Sequence, residues 1–178
     1  MARVLSEAFS ACLTGGDRRS IGRADEIASL IMRERGRFDE LWGCLRDIDP
    51  LVRMRAADAL EKISRVHPDL FEPYREALLT TKLEDGSPEV RWHLIAIKSR
   101  LALQESDAAR FYKYLDQCLR HDASRIVKVA ALQAAYDLSV KFPQYSVELI
   151  EMLAFARSSP WPSVIARAAR LVPRGAGR

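Results

Sequence analysis

The side chains that most often bind metals or attack substrates are few and widely spaced in this chain. The three histidines are scattered along the sequence; they are His67, His93 and His121. The three cysteines are odd in number and lie far apart among apolar neighbours; they are Cys12, Cys44 and Cys118. This pattern predicts buried core cysteines and indicates neither a disulfide framework nor a metal site.

Motifs for phosphate binding and for nucleophilic catalysis are missing as well. Gly15-Gly16 is not followed by the lysine and serine or threonine of a phosphate-binding loop. No serine stands in the Gly-x-Ser-x-Gly elbow of a hydrolase. The acidic pairs Asp25-Glu26 and Asp39-Glu40 are adjacent on predicted helices, so their side chains point in different directions and make poor acid–base partners. We therefore predict that the protein is not an enzyme and uses no cofactor and no metal.

The positive charge of the chain is concentrated at its C-terminal end. The 178 residues have a formal net charge of +4. Residues 1–151 carry 23 Lys or Arg against 24 Asp or Glu, a net of −1, whereas residues 152–178 carry five arginines and no acid, a net of +5. A protein that follows a phosphate backbone usually has a basic stripe across its binding face. Nucleic acid is therefore a disfavoured partner, and the basic end is predicted to be a solvated terminus.

The composition is that of a soluble globular protein, with 48% hydrophobic and 29% charged residues. No apolar run approaches the ~18 residues that a membrane-spanning helix needs. Glu7 comes too early for the apolar core of a signal peptide. These features predict a cytoplasmic protein with no membrane partner.

A repeat of about 37 residues organises the chain. Four segments place a turn before a valine or its equivalent, and these valines stand at positions 52, 90, 127 and 164. In the first three, apolar residues follow at i+4, i+7 and i+11, as in Val52, Ala56, Ala59 and Ile63. This spacing is the stripe of an amphipathic helix.

Start signals and second helices complete each unit. Asp49-Pro50 and Ser87-Pro88 place a capping oxygen before a proline at the first helical position, and Ser124 is predicted to cap the next helix. Second helices are predicted over about 68–82, 106–120 and 143–157. The result is a predicted all-α fold, a right-handed α-solenoid of about 4.5–5 helix pairs with about ten helices.

The predicted solenoid is one continuous domain over residues 1–172. A capping helix over 3–14 precedes units near 18–46, 47–83, 84–120, 121–157 and 158–172, and residues 173–178 form a basic tail. Leu171-Val172-Pro173-Arg174-Gly175 resembles a thrombin cleavage site, so this tail is either native or added for expression. The last unit has a single predicted helix, whose outer face is an unpaired end for a second copy or a further domain.

The repeated unit resembles a HEAT repeat, in which a turn Asp is followed by Pro, by Val-Arg and by an Ala-rich helix. The resemblance covers roughly residues 18–172 and is most specific in the units that begin near Asp47 and Asp85. In HEAT repeats the turn Asp and the Arg after Val form a ladder of contacts between units. The resemblance therefore implies a structural ladder of Asp47, Arg53, Asp85, Arg91, Asp122 and Lys128. The last unit departs from it, with Ser159 and Ile165 at these positions.

Two other kinds of HEAT-like protein are alternatives to a plain scaffold. A nucleic-acid-binding protein of the alkylpurine DNA glycosylase type needs a basic concave face with aromatic residues around an extruded base. The tryptophans available for that role are Trp42, Trp92 and Trp161. The bilin-lyase type has no specific residue to support it, and the balanced charge of residues 1–151 disfavours the DNA-binding type.

The function that remains is a non-catalytic scaffold or adaptor that binds a protein partner through its concave face. Alignment of the second helices on Leu45, Leu78 and Leu115 places two columns of residues beside the buried leucine. Their mixture of aromatic, aliphatic and charged groups is typical of a protein-binding hot spot. The predicted partner-binding residues are Trp42, Arg46, Arg75, Leu79, Tyr112 and Asp116. In the alternative arrangement, Trp42 and Tyr112 pack between units.

Overall fold

The computed structural model describes residues 7–17, 20–80 and 87–171. Within these ranges it contains ten α-helices and no strand. The all-α prediction is confirmed for these ranges. The helices are α1 (Phe9–Leu13), α2 (Ala24–Arg33), α3 (Phe38–Gly43), α4 (Pro50–Ser64), α5 (Arg75–Leu79), α6 (Pro88–Arg100), α7 (Glu105–His121), α8 (Arg125–Lys141), α9 (Ser146–Arg157) and α10 (Pro162–Arg170). None of the helices in the described ranges is both long enough and apolar enough to cross a membrane.

The chain divides into two compact units, Met1–Leu101 and Ala102–Arg178. In the first unit α4 packs against both α2 and α6. In the second unit α8 packs against α7, α9 and α10. The single continuous array over residues 1–172 stays a prediction.

The apolar stripe that repeats in the sequence forms the core of both units. Val52, Ala56, Ala59 and Ile63 of α4 are all buried. The equivalent residues are buried as well; they are Val90, Leu94, Ile97 and Leu101, then Val127, Ala131, Ala134 and Leu138, then Val164, Ala168 and Leu171. Alanines within the stripe leave room for a neighbouring helix to approach closely, because they have no side chain beyond Cβ.

The helix starts follow the predicted signals only in part. Asp49 caps α4 as predicted, because its Oδ1 accepts the main-chain N–H of Leu51 at 2.8 Å and Pro50 is the first helical residue. Ser87 and Ser124 occupy the predicted N-cap positions of α6 and α8, but neither side chain makes the predicted capping hydrogen bond. The hydroxyl of Ser87 donates to the Glu89 carboxylate, and the main-chain N–H of Ser124 donates to Asp122 Oδ1 at 2.7 Å. An Asx turn therefore precedes α8 instead of a serine cap.

The predicted second helices contain 3₁₀ segments. The one predicted over 68–82 consists of a 3₁₀ segment, Pro68–Tyr74, followed by α5, because Pro73 has no N–H to donate and interrupts the α-helical pattern. Residues 81–86 lie outside the described ranges. The one predicted over 143–157 starts with a 3₁₀ turn, Pro143–Tyr145, before α9.

The N-terminal helix is shorter in the described residues than its predicted span of 3–14. Residues 1–6 lie outside the described ranges, and α1 begins at Phe9 and ends at Leu13. Gly15 and Gly16 then have φ values of +75° and +78°. This left-handed backbone is open to glycine without steric strain, so the two glycines lead the chain away from the end of α1.

Candidate functional site

The turn before α4 is held by the charged residues that the sequence assigned to a ladder. Asp47 Oδ1 accepts the main-chain N–H of Asp49 at 2.9 Å. Arg53 Nη1 donates to the main-chain oxygens of Asp47 at 2.7 Å and Ile48 at 3.0 Å. These contacts fix the conformation of the turn and give Asp47 and Arg53 a structural role.

The turn before α8 has the same arrangement with a lysine. Asp122 accepts from the main chain of Ser124, and Lys128 Nζ donates to the main-chain oxygens of Leu119 at 2.5 Å and Arg120 at 3.3 Å. Both oxygens belong to the last turn of α7, whose carbonyls have no partner within the helix and carry the negative end of its dipole. Lys128 therefore ties α8 to the end of α7.

The remaining members of the predicted ladder are Asp85 and Arg91. Asp85 lies outside the described residues. Arg91 lies half-buried on α6, one residue after Val90. Carboxylate-to-cation pairing between repeats at these positions stays a prediction.

Polar contacts between the first helices of successive repeats also lie at positions that the sequence did not single out. Glu61 of α4 has a side chain only 3% exposed, and its carboxylate contacts Arg100 of α6 at 2.7 Å and Arg65 at 2.7 Å. Arg100 also donates to the Ser64 hydroxyl at 2.9 Å. Burial would raise the pKa of Glu61, but the hydrogen bonds from Arg65 and Arg100 bring it below its ordinary value. Glu61 therefore joins α4 to α6 as an ion.

Similar contacts occur elsewhere along the first helices. Lys62 of α4 pairs with Asp25 of α2 and with Asp58. Arg167 of α10 donates to Gln133 of α8 at 2.7 Å. Asp58, Lys62, Gln133 and Arg167 stand three to ten positions after the valine of their own repeat, so the signal in the sequence was a polar residue beside an apolar stripe.

A buried arginine of α4 forms hydrogen bonds to the main chain near the N-terminus of the first unit. Arg55 of α4 is only 2% exposed. Its guanidinium donates to four main-chain oxygens of one loop, with donor–acceptor distances of 2.6 to 3.1 Å; the acceptors are Leu13, Gly15, Asp17 and Ser20. Sequence reasoning missed this residue, although it stands three positions after Val52, where α6 has the buried His93.

His93 is a core residue. Its side chain is buried, and burial lowers the pKa of its imidazole to about 3. Within the described part of the chain, Nδ1 has no hydrogen-bond partner. In the same ranges, no group of three His, Cys, Asp or Glu side chains is arranged to hold a metal ion.

The three cysteines are buried and unpaired with each other. Burial, with a smaller effect of Asp47, raises the pKa of the Cys44 thiol to about 11. A thiol is nucleophilic only as the thiolate, so this cysteine is unreactive at neutral pH.

Two of the predicted partner-binding residues are not on the surface, and that part of the prediction is wrong. Trp42 is 4% exposed, and its ring lies 4.3 Å from that of Tyr74 and 6.4 Å from that of Phe71. Tyr112 is 5% exposed and stacks on Tyr145 at 4.7 Å. Each aromatic ring is covered by the second helical segment of the following repeat. Both rings therefore pack between neighbouring repeats, which was the alternative arrangement.

The other four predicted residues retain access to solvent. Arg46 is exposed, and Arg75, Leu79 and Asp116 are half-buried. Arg75 pairs with Glu72 at 3.2 Å. Asp116 pairs with Arg120 at 2.9 Å, and the Arg120 guanidinium lies 4.8 Å from the centre of the Phe155 ring.

The repeated turns and stacked helix pairs agree with comparisons to known proteins. A family model described as a HEAT repeat domain matches residues 16–173. The chain belongs to the HEAT-repeat family. Comparison with the curated proteins finds no match.

Two solved structures support the HEAT-repeat fold. One is the crystal structure of an engineered protein, with a TM-score of 0.62 and 17% identity, over 92% of this chain and 76% of that one. The other is a designed armadillo repeat protein, with a TM-score of 0.59 and 20% identity, over 90% of this chain and 78% of that one. At this identity the likeness shows the shared α-solenoid fold alone, and it confirms that prediction.

The three tryptophans of this HEAT-repeat chain differ in exposure. Trp42 is buried, whereas Trp92 is half-buried beside His93 and Trp161 is exposed at the start of α10. A buried ring cannot stack on a nucleobase. The geometry of Trp42 therefore gives no support to a glycosylase-like site.

Proposed function

We propose that this HEAT-repeat chain is a cytoplasmic, non-catalytic scaffold that binds a protein partner through the exposed side of its second helices. HEAT and armadillo repeats commonly serve as protein-interaction scaffolds, because stacked repeats present an extended surface on one side. The family match over residues 16–173 supports this class of function.

The observation that carries the proposal is the difference between repeated and unrepeated positions. Residues that recur in each unit are used in the core or in the turns, as Val52 and Arg53 are in α4. The residue directly after the buried leucine of each second helix differs in chemical character from one repeat to the next. It is filled by Arg46, Leu79 and Asp116, none of which is buried. Side chains that are free to vary on a rigid framework provide specificity without affecting the fold.

Within the first unit, this side offers a guanidinium and an aliphatic group. Arg46 is exposed, and Leu79 is half-buried with Arg75 one helical turn before it on α5. Arginine is enriched in protein interfaces because its planar head pairs with carboxylates while its stem packs on apolar surface. We propose Arg46, Arg75 and Leu79 as contacts of one partner, and Asp116 as a contact on the second unit.

The test is affinity purification from the native host, followed by mass spectrometry, with the variant Arg46→Glu plus Leu79→Ser. We expect the partners recovered with the wild-type chain to be lost from the double variant. Arg33→Glu is the matched control, because Arg33 is an exposed arginine of α2 in the same unit. Circular dichroism establishes that all three proteins are folded.

Two outcomes would refute the proposal. One is unchanged recovery of every partner by a folded double variant. The other is equal loss of the partners with Arg33→Glu, which would indicate a general effect of charge.

A further inference from the structure

The second helices of the second unit, α7 and α9, contact each other through aromatic and charged side chains. Tyr112 of α7 stacks on Tyr145, the residue directly before α9, with ring centres 4.7 Å apart. Near the other end of α9, the exposed Phe155 ring lies 4.8 Å from the Arg120 guanidinium of α7. These two contacts establish which sides of α7 and α9 face each other.

Two exposed glutamates of α9 lie on the side that faces α7. Glu151 and Glu148 stand four and seven residues before Phe155, so helical spacing places all three in a row. Their electrostatic effect on α7 agrees with this position. The pKa of Tyr112 is raised by burial and further by Glu148, and the pKa of Arg120 is raised by a hydrogen bond within α7 and further by Glu151.

Two more carboxylates stand on the facing side of α7. Asp116 is one helical turn after Tyr112 and also contributes to its raised pKa. Near the start of α7, Glu105 accepts a hydrogen bond from the Gln144 side chain at 3.1 Å. The pKa of Tyr145 is raised by burial and then by Glu105. We call this set of six residues the acidic surface; it consists of Glu105, Tyr112, Asp116, Glu148, Glu151 and Phe155.

The acids of the second unit are concentrated on the acidic surface. Residues 102–171 carry nine Lys or Arg and seven Asp or Glu, and four of these seven acids belong to it. The same side of α7 adds two bases, Lys113 and Arg120, and Arg120 is paired with Asp116 at 2.9 Å. Arg157 is nine residues after Glu148, which places it on the opposite side of α9. This side of the two helices is therefore negative within a unit whose overall charge is positive.

The hydroxyl of Tyr112 lies near two of these carboxylates and lacks a partner. Its oxygen is buried and makes no hydrogen bond with any residue of the described ranges. A buried hydroxyl without a partner is unfavourable. An ammonium group that enters beside Asp116 and Glu148 would pair with them and donate to the hydroxyl oxygen. The hydroxyl and its acidic neighbours thus favour a cationic ligand over an anionic one.

We infer that the acidic surface binds a lysine-rich segment of the protein partner. This inference rests on the proposed function and specifies what kind of segment meets Asp116. Lysine ammonium groups would pair with Glu148 and Glu151, and the stem of a lysine would pack on Phe155. In the described ranges no three carboxylates are arranged around one metal ion, so the negative charge is spread out and matches a ligand with several positive charges.

The experiment titrates the full chain with three probes and measures fluorescence anisotropy. The first probe is a labelled decapeptide in which every second residue is lysine, and the second has glutamate in place of each lysine. Spermine, as a competitor, is the third. We expect the lysine peptide to bind at least about tenfold more tightly than the glutamate peptide. Spermine should compete at least about tenfold more weakly than unlabelled lysine peptide, because it has no peptide groups and no uncharged side chains.

Variants of the chain locate the binding site. Glu148→Gln with Glu151→Gln is expected to weaken the lysine peptide about tenfold. The matched control is Glu26→Gln with Glu34→Gln, because both are exposed glutamates of the first unit. Tyr112→Phe keeps the ring and removes the hydroxyl, so it is expected to weaken the peptide about fivefold without loss of stability. Circular dichroism establishes that each variant is folded.

Several results would overturn the inference. They are equal binding of the two peptides, equal weakening by the control pair, and unchanged affinity of Tyr112→Phe. Competition by spermine as strong as that by the lysine peptide would also overturn it, because the occupant would then be a free polyamine.

The titration needs no partner from the host, so its failure is distinguishable from failure of the proposed function. If the lysine peptide does not bind while Arg46→Glu plus Leu79→Ser loses its partners, the inference fails alone. If the peptide binds the acidic surface while that double variant retains every partner, the contacts proposed for the first unit fail alone.

Discussion

The guanidinium of Arg55 and the main-chain oxygen of Leu13, 42 residues apart in sequence, are joined by a hydrogen bond of 2.6 Å. Three more oxygens of the same loop accept from this guanidinium. Arginine carries five N–H donors in a planar fork, so one buried side chain satisfies carbonyls that would otherwise lose their water without compensation. The loop before α2 is thus held by α4.

Replacement of Arg55 is expected to destabilise the first unit substantially. Arg55→Met keeps the aliphatic stem but leaves four carbonyls without their donor, which costs about 3 kcal/mol of unfolding free energy. Urea denaturation followed by circular dichroism measures the loss. Arg33→Met, at an exposed position of α2, is the control and is expected to change stability by less than about 0.5 kcal/mol. Equal stability of the Arg55→Met and wild-type chains would contradict this role.

A side chain at Gly22 is expected to destabilise the fold, because two constraints meet there. Its φ is +56°, and a Cβ would lie 3.1 Å from the Arg55 guanidinium carbon. Gly22→Ala should therefore lower the unfolding free energy by about 1 to 2 kcal/mol. Gly36→Ala is the matched control, because no atom lies within 4 Å of its added Cβ. Thermal unfolding of the two variants side by side distinguishes a local constraint from a general effect of losing glycine.

The fold was predictable from the sequence because the repeat controls it. The stripe at Val52, Ala56 and Ile63 recurs with so little change that helix position and buried face follow from spacing alone. Arg55 and Glu61 were not predictable in the same way. Each is a charge beside the stripe, and its burial depends on which residues of the neighbouring repeat it meets. A single sequence does not contain that information.

The surface was harder to predict than the core for a related reason. Alignment placed Trp42 and Arg46 in adjacent columns of the second helix, but only Arg46 is exposed. Trp42 is buried by the rings of Phe71 and Tyr74, which belong to a segment that Pro68 and Pro73 bend into a 3₁₀ form. The path of that segment decides which of the two columns of second-helix residues is buried. Helical periodicity in the sequence does not predict that path.

Tyr112 yields a prediction of increased stability. Its hydroxyl is buried and has no hydrogen-bond partner in the part of the chain that the structure describes. A buried polar group without a partner is unfavourable, whereas the ring itself stacks on Tyr145. Tyr112→Phe keeps the stacking and removes the hydroxyl, so the unfolding free energy should rise by about 1 kcal/mol. A fall in stability would mean that the hydroxyl has a partner in solution.

His93 is expected to make the protein sensitive to mild acid. In the unfolded chain a histidine takes up a proton below about pH 6.5, whereas in the folded protein burial lowers the pKa of His93 to about 3. Between these values the unfolded state binds more protons, so stability falls as the pH falls through this window, by about 2 kcal/mol from pH 6.5 to pH 5. His93→Leu should flatten the dependence of the urea midpoint on pH, and His121→Gln, at an exposed histidine of α7, should leave it as it is in the wild-type chain. An acid-induced loss of stability that persists in full in His93→Leu would assign the effect to other groups.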